Sequence, residues 1–471
     1  MLILTLDTVI FTIQSADLSI EEPQLGETST MKLPPEILLA IFSQLDRNSI
    51  ALIRVSAVCR RWRAMTTHTP YLWTDIKANC SGLNKKRTRA LQNRVELFLT
   101  RSGELPLDVE WHADNNNESV LQFYHLFRQK GAFSRWRTLS LGLGRDADHP
   151  LEEVRDIDAF SSLEYLMFVH APPLKYLNLI SKTVTTRLHT LELGGNLQCS
   201  PNLDTEYSRI LQHASTIKIW SGVALPIVPL PPNVSTLQAH TMPDIAIPHV
   251  KHLFVKRIGL KYLSGLDVIN LVTLLIHINV NGTPSDFTIT LPNLLWLGMK
   301  EDSFPALAAF KVPLLHTLIV ETSSREVQTV DGPFITALYN GFQVSKLVML
   351  FLDMRLDGMA SLEVLRRFPD LSRLGLHCLD MNHGKEILTC AFPGRINFNL
   401  CPSLDVLRLI LDVGPPASCM MEWQQCVRDT VRRIGDSFWM LETRWPNGKC
   451  VKYYGIGERK RVACIYPWRN P

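Results

Sequence analysis

Several chemistries are missing from this sequence. No apolar run approaches the roughly 18 to 20 residues that a membrane-spanning helix needs, so the chain is expected to fold in water. The ten cysteines form no C-x-x-C pair, which argues against a zinc ribbon or a thioredoxin-like motif and leaves free thiols in a reducing compartment as the expectation. A nucleotide-binding glycine loop, an HExxH metal pair and a GxSxG elbow are absent too, so nothing in the chain points to catalysis. The nearest metal-like cluster, His377, Cys378, His383 and Cys390, has no common zinc spacing, and loop or core roles are expected for it. Residues 1–30 lack any Lys or Arg. Their apolar stretch LILTLDTVIFTI therefore has no basic start, and Asp7 interrupts it, which argues against a secretory signal. An additional strand, a disordered arm or a displaced translation start are the readings left for it.

What the chain does have fits a folded protein: 46% hydrophobic and 20% charged residues over 471 positions. That length is large for one compact core. An array of repeats, each packed only on its neighbours, accommodates it.

The segment from Leu33 to Ile76 reads as a set of short helices. Pro34 and Pro35 suit a helix start, where the first N–H groups have no intrahelical acceptor. Ile37, Leu38, Ile41, Phe42 and Leu45 then recur at one- to four-residue steps and gather on one apolar stripe. In the next helix Leu52, Val55, Val58, Cys59 and Trp62 follow three- and four-residue spacing. Thr69-Pro70 ends it, and Leu72 and Trp73 are expected to close the small core. Spacing alone is equally met by a helical hairpin packed on its own domain.

Order and spacing together say more. LPPEIL, IFSQL, VCRRW and PYLW follow one another over about forty residues in a pattern that resembles the F-box family. The resemblance implies a three-helix F-box that docks on a Skp-type adaptor and, through it, on a cullin–RING ubiquitin ligase. It also implies a non-catalytic subunit without a cofactor, cytoplasmic and/or nuclear. Residue by residue, Leu33, Pro34, Glu36, Ile37 and Ile41 match the opening, adaptor-facing positions. Val58, Cys59, Trp62, Leu72 and Trp73 match later positions that are core, contact or both. Affinity would come from a helix face laid into an apolar groove, with a tryptophan as anchor.

Downstream, a pattern apolar-x-x-Leu-x-apolar recurs. It is centred on Leu139, Leu166, Leu191, Leu237, Leu253, Leu274, Leu297, Leu318, Leu350, Leu374 and Leu407, with Ile217/Ile219 a weaker twelfth member. Most steps are 20 to 27 residues, with outliers at 16, 32 and 33. Alternation predicts a strand in each unit, and the step is that of a leucine-rich repeat. Only two units carry the expected asparagine after the strand, Asn196 and Asn279, so the repeats are degenerate. An ordinary α/β domain with leucine-rich strands fits the same spacing. The expected fold is α/β: an F-box followed by a leucine-rich-repeat-like solenoid with a curved parallel sheet. Large fungal F-box families are similar in layout, with a helix after the F-box, an RW-x-x-L strand and leucine-rich units.

The chain accordingly divides into an N-terminal segment (1–30), an F-box (31–76), a helical linker and cap (77–135), a solenoid (136–413) and a basic, aromatic cap or tail (414–471). In each Leu-x-Leu the flanking residues should face the core and the central one the opposite, concave face. The central residues of the middle units are apolar. Phe254, Leu275, Ile319 and Phe351, with Gly298 among them, form the expected target-binding patch. The competing reading has the N-terminal segment or the tail covering that face. From Glu422 onward there are ten basic and five acidic residues, a net +5 against +4 for the whole chain, interleaved with aromatic rings. That pattern admits a folded cap with a basic face or a single-stranded nucleic-acid site. Three functions compete: a ubiquitin-ligase substrate receptor, an F-box scaffold outside a ligase, and an RNA-binding solenoid that uses the tail.

Overall fold

The computed structural model describes residues 33–45, 49–113, 117–143, 160–170, 180–182, 187–194, 204–220, 230–242, 247–258, 263–266, 268–278, 288–300, 307, 309–321, 347–355, 364, 366–378, 381–391, 403–411, 420–434, 440–444 and 450–454. Residues 1–30, Asn196 and Asn279 lie outside them, as do Trp439, Trp445 and Trp468 of the tail.

Helix α1 (Pro35–Gln44) begins as the two prolines require. Pro35 occupies the first turn, and the Pro34 carbonyl accepts from the N–H groups of Ile37 and Leu38 at 3.1 and 3.2 Å. The second helix expected from spacing is in fact two, α2 (Ser49–Val58) and α3 (Arg60–Thr67). Cys59 between them is extended, with φ −153° and ψ 168°, and its Sγ accepts from Trp62 N at 3.4 Å as the cap of α3. This break separates residues that one continuous helix would have kept on a single face. Trp62 turns inward, edge-on to Phe42 at 5.2 Å, whereas Val58 is left 58% exposed. Leu38, Phe42 and Val55 form the small core, and the Arg61 guanidinium fastens the incoming chain by donating to the Leu33 carbonyl at 2.8 Å.

Trp73 does not close that core. It ends a 3-10 turn (Pro70–Trp73), is fully buried, and belongs to the large core beneath the sheet. Its ring meets Phe98 edge-on at 4.8 Å, the Arg101 guanidinium stacks on it at 4.3 Å, and its Nε1–H donates to Thr66 O at 2.7 Å. Leu72, by contrast, packs against both cores. The 3-10 turn is thus the joint between the helical unit and the rest of the chain.

The rest is organised on one sheet of sixteen strands. It starts with β1 (Asp75–Asn79), β2 (Leu107–Ala113) and β3 (Trp136–Leu143), separated by α4 (Lys85–Arg101) and α5 (Asn117–Gln129). It continues through β4 (Tyr165–Phe168), β5 (Thr190–Leu193), α6 (Asp204–Leu211), β6 (Thr216–Ile219), β7 (Thr236–Thr241), β8 (His252–Ile258) and β9 (Thr273–Ile278). Next come β10 (Ile289–Thr290), β11 (Trp296–Lys300), β12 (Phe310–Lys311), β13 (Thr317–Glu321), β14 (Met349–Arg355) and β15 (Arg373–Cys378). Helices α7 (Met381–Ala391) and α8 (Met420–Ile434) flank β16 (Val406–Leu411), and β17 (Met440–Arg444) and β18 (Cys450–Tyr454) finish the series.

Apart from β10 and β12, which pair with each other, the strands lie side by side in chain order. All neighbours are parallel except β17 and β18. A parallel neighbour can be reached only by a return crossover, not by a two-residue hairpin. All twelve leucine-based units are strands of this sheet. The sheet also extends past the 136–413 span that leucine spacing suggested, since β1 and β2 precede it and β17 and β18 follow it. Strand β2 alternates buried and half-buried residues throughout, with Leu107, Val109, Trp111 and Ala113 inward.

The core is continuous along the array. In every leucine-based unit both flanking residues are nearly or fully buried, from Leu139 and Leu141 to Leu407 and Leu409. Its first section is aromatic: Trp136 touches Trp111, Phe127, Phe133 and Phe160 with ring centroids 4.8 to 6.4 Å apart. Cys80 lies in this core, and burial pushes its thiol up to about 12. Such a thiol stays protonated and unreactive at neutral pH.

Candidate functional site

The ten residues expected at the adaptor surface separate into three groups. Pro34, Glu36, Ile37 and Val58 are exposed, Ile37 at 49% beside Leu38 at 2%. Leu33, Ile41, Cys59, Trp62 and Leu72 are half-buried, and Trp73 is core. One side of α1 thus holds the small core while the other presents aliphatic surface to solvent, the division an amphipathic docking helix requires. Two further exposed apolar residues, Ile50 at 41% and Tyr71 at 51%, were not singled out by sequence reasoning. Tyr71 lies within the PYLW motif, so its position was legible but its exposure was not. It borders a cleft of about 420 Å³ between the helical unit and the first strands, lined also by Phe42, Leu45, Leu105, Asp108 and Arg137. Asp108 holds Arg137 through both Nε and Nη2, and that bond raises the guanidinium's proton affinity further.

On the sheet, strand register brings the central Leu-x-Leu positions into one line. The row runs Ser140, Met167, Glu192, Lys218, Gln238, Phe254, Leu275, Gly298, Ile319, Phe351, Gly375, Arg408. The expected target patch is therefore contiguous across neighbouring strands. Phe254, Leu275 and Phe351 are half-buried. Ile319 departs from the expectation that it is exposed: it is only 5% accessible, wedged between Gly298 and Phe351 in a tightly filled row.

The two glycines explain this filling. A Cβ at Gly298 would come within 2.6 Å of Leu275 Cδ1 and 2.7 Å of the Trp296 ring, and one at Gly375 within 2.2 Å of Phe351 Cδ1. Neighbouring side chains lie across both gaps, and the Arg408 guanidinium approaches the Phe351 ring to 5.4 Å from beyond Gly375. The result is a smooth apolar strip with Trp296 as an unforeseen member.

Beside this strip stands a polar cluster that sequence reasoning missed. Glu192 is only 5% exposed although it occupies the face away from the core. Tyr165 donates its hydroxyl to Oε2, Trp220 donates Nε1–H to Oε1 at 2.7 Å, and Lys218 Nζ lies 3.4 Å from Oε2. Burial, followed by the hydrogen bond and charge of Glu192, raises the Tyr165 hydroxyl above its usual value. Folded Tyr165 keeps its proton where the unfolded chain loses it, so its contribution is full below about pH 10 and declines as the pH rises above that. The four residues come from three strands and a strand exit, and no spacing along the chain signals their meeting.

Glu192→Ala should destabilise the chain by about 1–3 kcal/mol in urea denaturation, because two hydrogen bonds to a buried carboxylate are lost. The loss should shrink when Tyr165 and Trp220 are first replaced by Phe, which removes those donors.

Of the sequence cluster considered for metal binding, Cys378 and His383 are buried on β15 and α7. Among the described residues no group of three or more His, Cys, Asp or Glu is arranged to hold a metal ion, and no helix is long and apolar enough to cross a membrane.

Comparison with protein families matches residues 30–78 to the F-box-like family model. The match covers α1 to α3, the 3-10 turn and most of β1, so the chain carries an F-box-like domain at its described N-terminal end. Domains of this kind generally bind Skp-type adaptors, which points to an adaptor role in F-box complexes. The comparison with curated proteins finds no match.

Proposed function

We propose that this chain is the substrate-receptor subunit of a Skp–cullin–F-box ubiquitin ligase. Its F-box-like unit docks on the Skp-type adaptor through Leu33, Pro34, Glu36, Ile37, Ile41 and the Val58–Trp62 corner. Its strand array acts as a leucine-rich-repeat-like solenoid that presents a target protein along Phe254, Leu275, Trp296 and Phe351. The chain performs no chemistry in this reading. It holds the target near a ubiquitin-carrying enzyme recruited by another subunit, and proximity raises the local concentration of the acceptor. It needs no cofactor and works in the cytoplasm and/or nucleus.

One observation carries the reading. An F-box-like unit with outward-facing aliphatics is joined through buried Trp73 to a sheet whose face away from the core bears a contiguous, partly accessible apolar strip, which supports a chain with two separate protein-binding surfaces.

Affinity purification of the full chain should recover a Skp-type adaptor and a cullin in near-stoichiometric amounts. A second protein should accumulate when the proteasome is inhibited. Recovery of the adaptor without any cullin would favour an F-box scaffold outside a ligase. In the Phe254→Ser/Phe351→Ser double variant the adaptor should be retained and target recovery should fall at least tenfold. An unfolded variant by circular dichroism would instead mean that these two rings are structural.

A further inference from the structure

Helix α4 carries arginines at a seven-residue spacing: Arg87, Arg94 and Arg101. At 3.6 residues per turn they fall on one stripe, about 10.5 Å apart along the axis. The core-facing Leu91, Val95 and Phe98 separate this stripe from the opposite flank, where Gln92 bonds Gln122 of α5 and Glu96 pairs with Lys130 just beyond it. The stripe therefore faces away from α5.

Among the described residues none of the three arginines is ion-paired. The carboxylates of α4 and β2 are engaged by other cations: Glu96 by Lys130 at 3.1 Å, Glu110 by Lys77 at 3.9 Å and Asp108 by Arg137. Yet Nε of Arg94 and Nη1 of Arg101 are closed off from solvent with no acceptor among those residues. A buried charged donor left unpaired is costly, so the arrangement calls for an anion. The proton affinities point the same way. Burial lowers those of Arg94 and Arg101, and Arg63 lowers that of Arg101 further, whereas Asp108 raises that of Arg137. Arg63, on α3, thus extends the stripe across the joint onto the helical unit. Lys85, Lys86 and Arg87 also crowd the first turn of α4 with no acid beside them, the wrong sign for that end of a helix. Helix stability is not what they serve.

The chain itself supplies an anion. Counting every position, residues 32–101 hold thirteen Lys and Arg against four Asp and Glu, whereas residues 1–30 hold Asp7, Asp17, Glu21, Glu22 and Glu27 and no base. That acidic segment enters the fold beside the stripe, because Arg61, two residues before Arg63, donates to the Leu33 carbonyl at 2.8 Å. Glu22 precedes Leu33 by eleven residues. Extended, they span roughly 36 Å, against about 21 Å from Arg101 to Arg87 along the helix. The tether also holds the carboxylates at an effective concentration on the order of millimolar, an advantage no separate acidic partner has.

We propose that the acidic stretch from Asp17 to Glu27 lies along Arg63, Arg101, Arg94 and Arg87 as an intramolecular strap between the F-box-like unit and the strand array. Its carboxylates provide the acceptors that the arginines lack. Bridging the joint, the strap holds the two units at one angle, whichever partner either of them binds.

The test uses the purified full chain with a photoreactive benzoylphenylalanine at Ala90, an exposed position between Arg87 and Arg94 on the same flank. Crosslinks should form within one chain and map to residues 15–30. Their yield should fall at least fivefold between about 50 and about 500 mM salt, because exposed charge pairs are screened. Arg87→Glu/Arg94→Glu should lower it at least tenfold, and adding Asp17→Lys/Glu21→Lys/Glu22→Lys should restore it, which a misfolded chain could not do. Crosslinks to a second copy, to nucleic acid or to another part of the chain would overturn the proposal, as would none at all or a yield indifferent to salt. So would a loss in the double variant that the charge swap leaves unrestored while circular dichroism shows a folded chain. If the double variant is unfolded, the site and salt response of the crosslink from Ala90 alone decide.

Discussion

Replacing Trp73 by alanine should lower the unfolding free energy by about 3–5 kcal/mol, the range for deleting a fully buried tryptophan from a packed core. Three interactions go at once. The edge-on contact with Phe98 is lost, the Arg101 guanidinium loses the ring it stacks on, and the Thr66 carbonyl loses its indole donor. The cavity would also open at the joint between the small helical core and the sheet, where Leu72 is the residue packed against both. Urea denaturation should therefore show a lower midpoint, and limited proteolysis should find a new site near the 3-10 turn. Trp73→Phe should recover part of the loss, since it keeps a ring against Phe98 but cannot donate to Thr66. A Trp73→Ala change under 1 kcal/mol would show that the joint is held elsewhere.

Substituting Ile37 and Val58 together by Asp should weaken binding to a Skp-type adaptor at least a hundredfold, equivalent to roughly 2.8 kcal/mol. Calorimetry or biolayer interferometry on the purified pair would measure it. Both side chains are about half exposed, so stability should change by no more than about 0.5 kcal/mol per site. Leu38→Asp provides the contrast. One residue from Ile37 and 2% exposed, it should unfold the small core rather than only weaken docking. Undiminished affinity in the Ile37→Asp/Val58→Asp variant would remove this face of α1 and α2 from the docking surface.

The twelve leucine-based strands were legible because a strand buried on one face must alternate with period two, and a one-residue slip would turn its leucines to solvent. The same rule led to the central row from Ser140 to Arg408, since side-chain direction follows from alternation alone. The break at Cys59 was hidden, because apolar spacing runs on through Val58, Cys59 and Trp62 as if the helix continued. Trp73 was hidden for a different reason. Hydrophobicity predicts that it is inside something, but not which of two adjacent cores. Strands β1, β17 and β18 lack the Leu-x-Leu pattern, so leucine spacing could not mark their place in the sheet.

By itself the sequence determined what local patterning can encode: an F-box-like helical unit, a succession of strands in chain order, and which side chain of each points from the core. Tertiary structure decided what depends on distance across strands. It put Ile319 out of solvent, laid Phe351 over Gly375, and gathered Tyr165, Glu192, Lys218 and Trp220 into one cluster. The physical reason is that residues 20 or more positions apart become neighbours at about 4.8 Å only when parallel strands pair, and no periodicity within one strand carries that information.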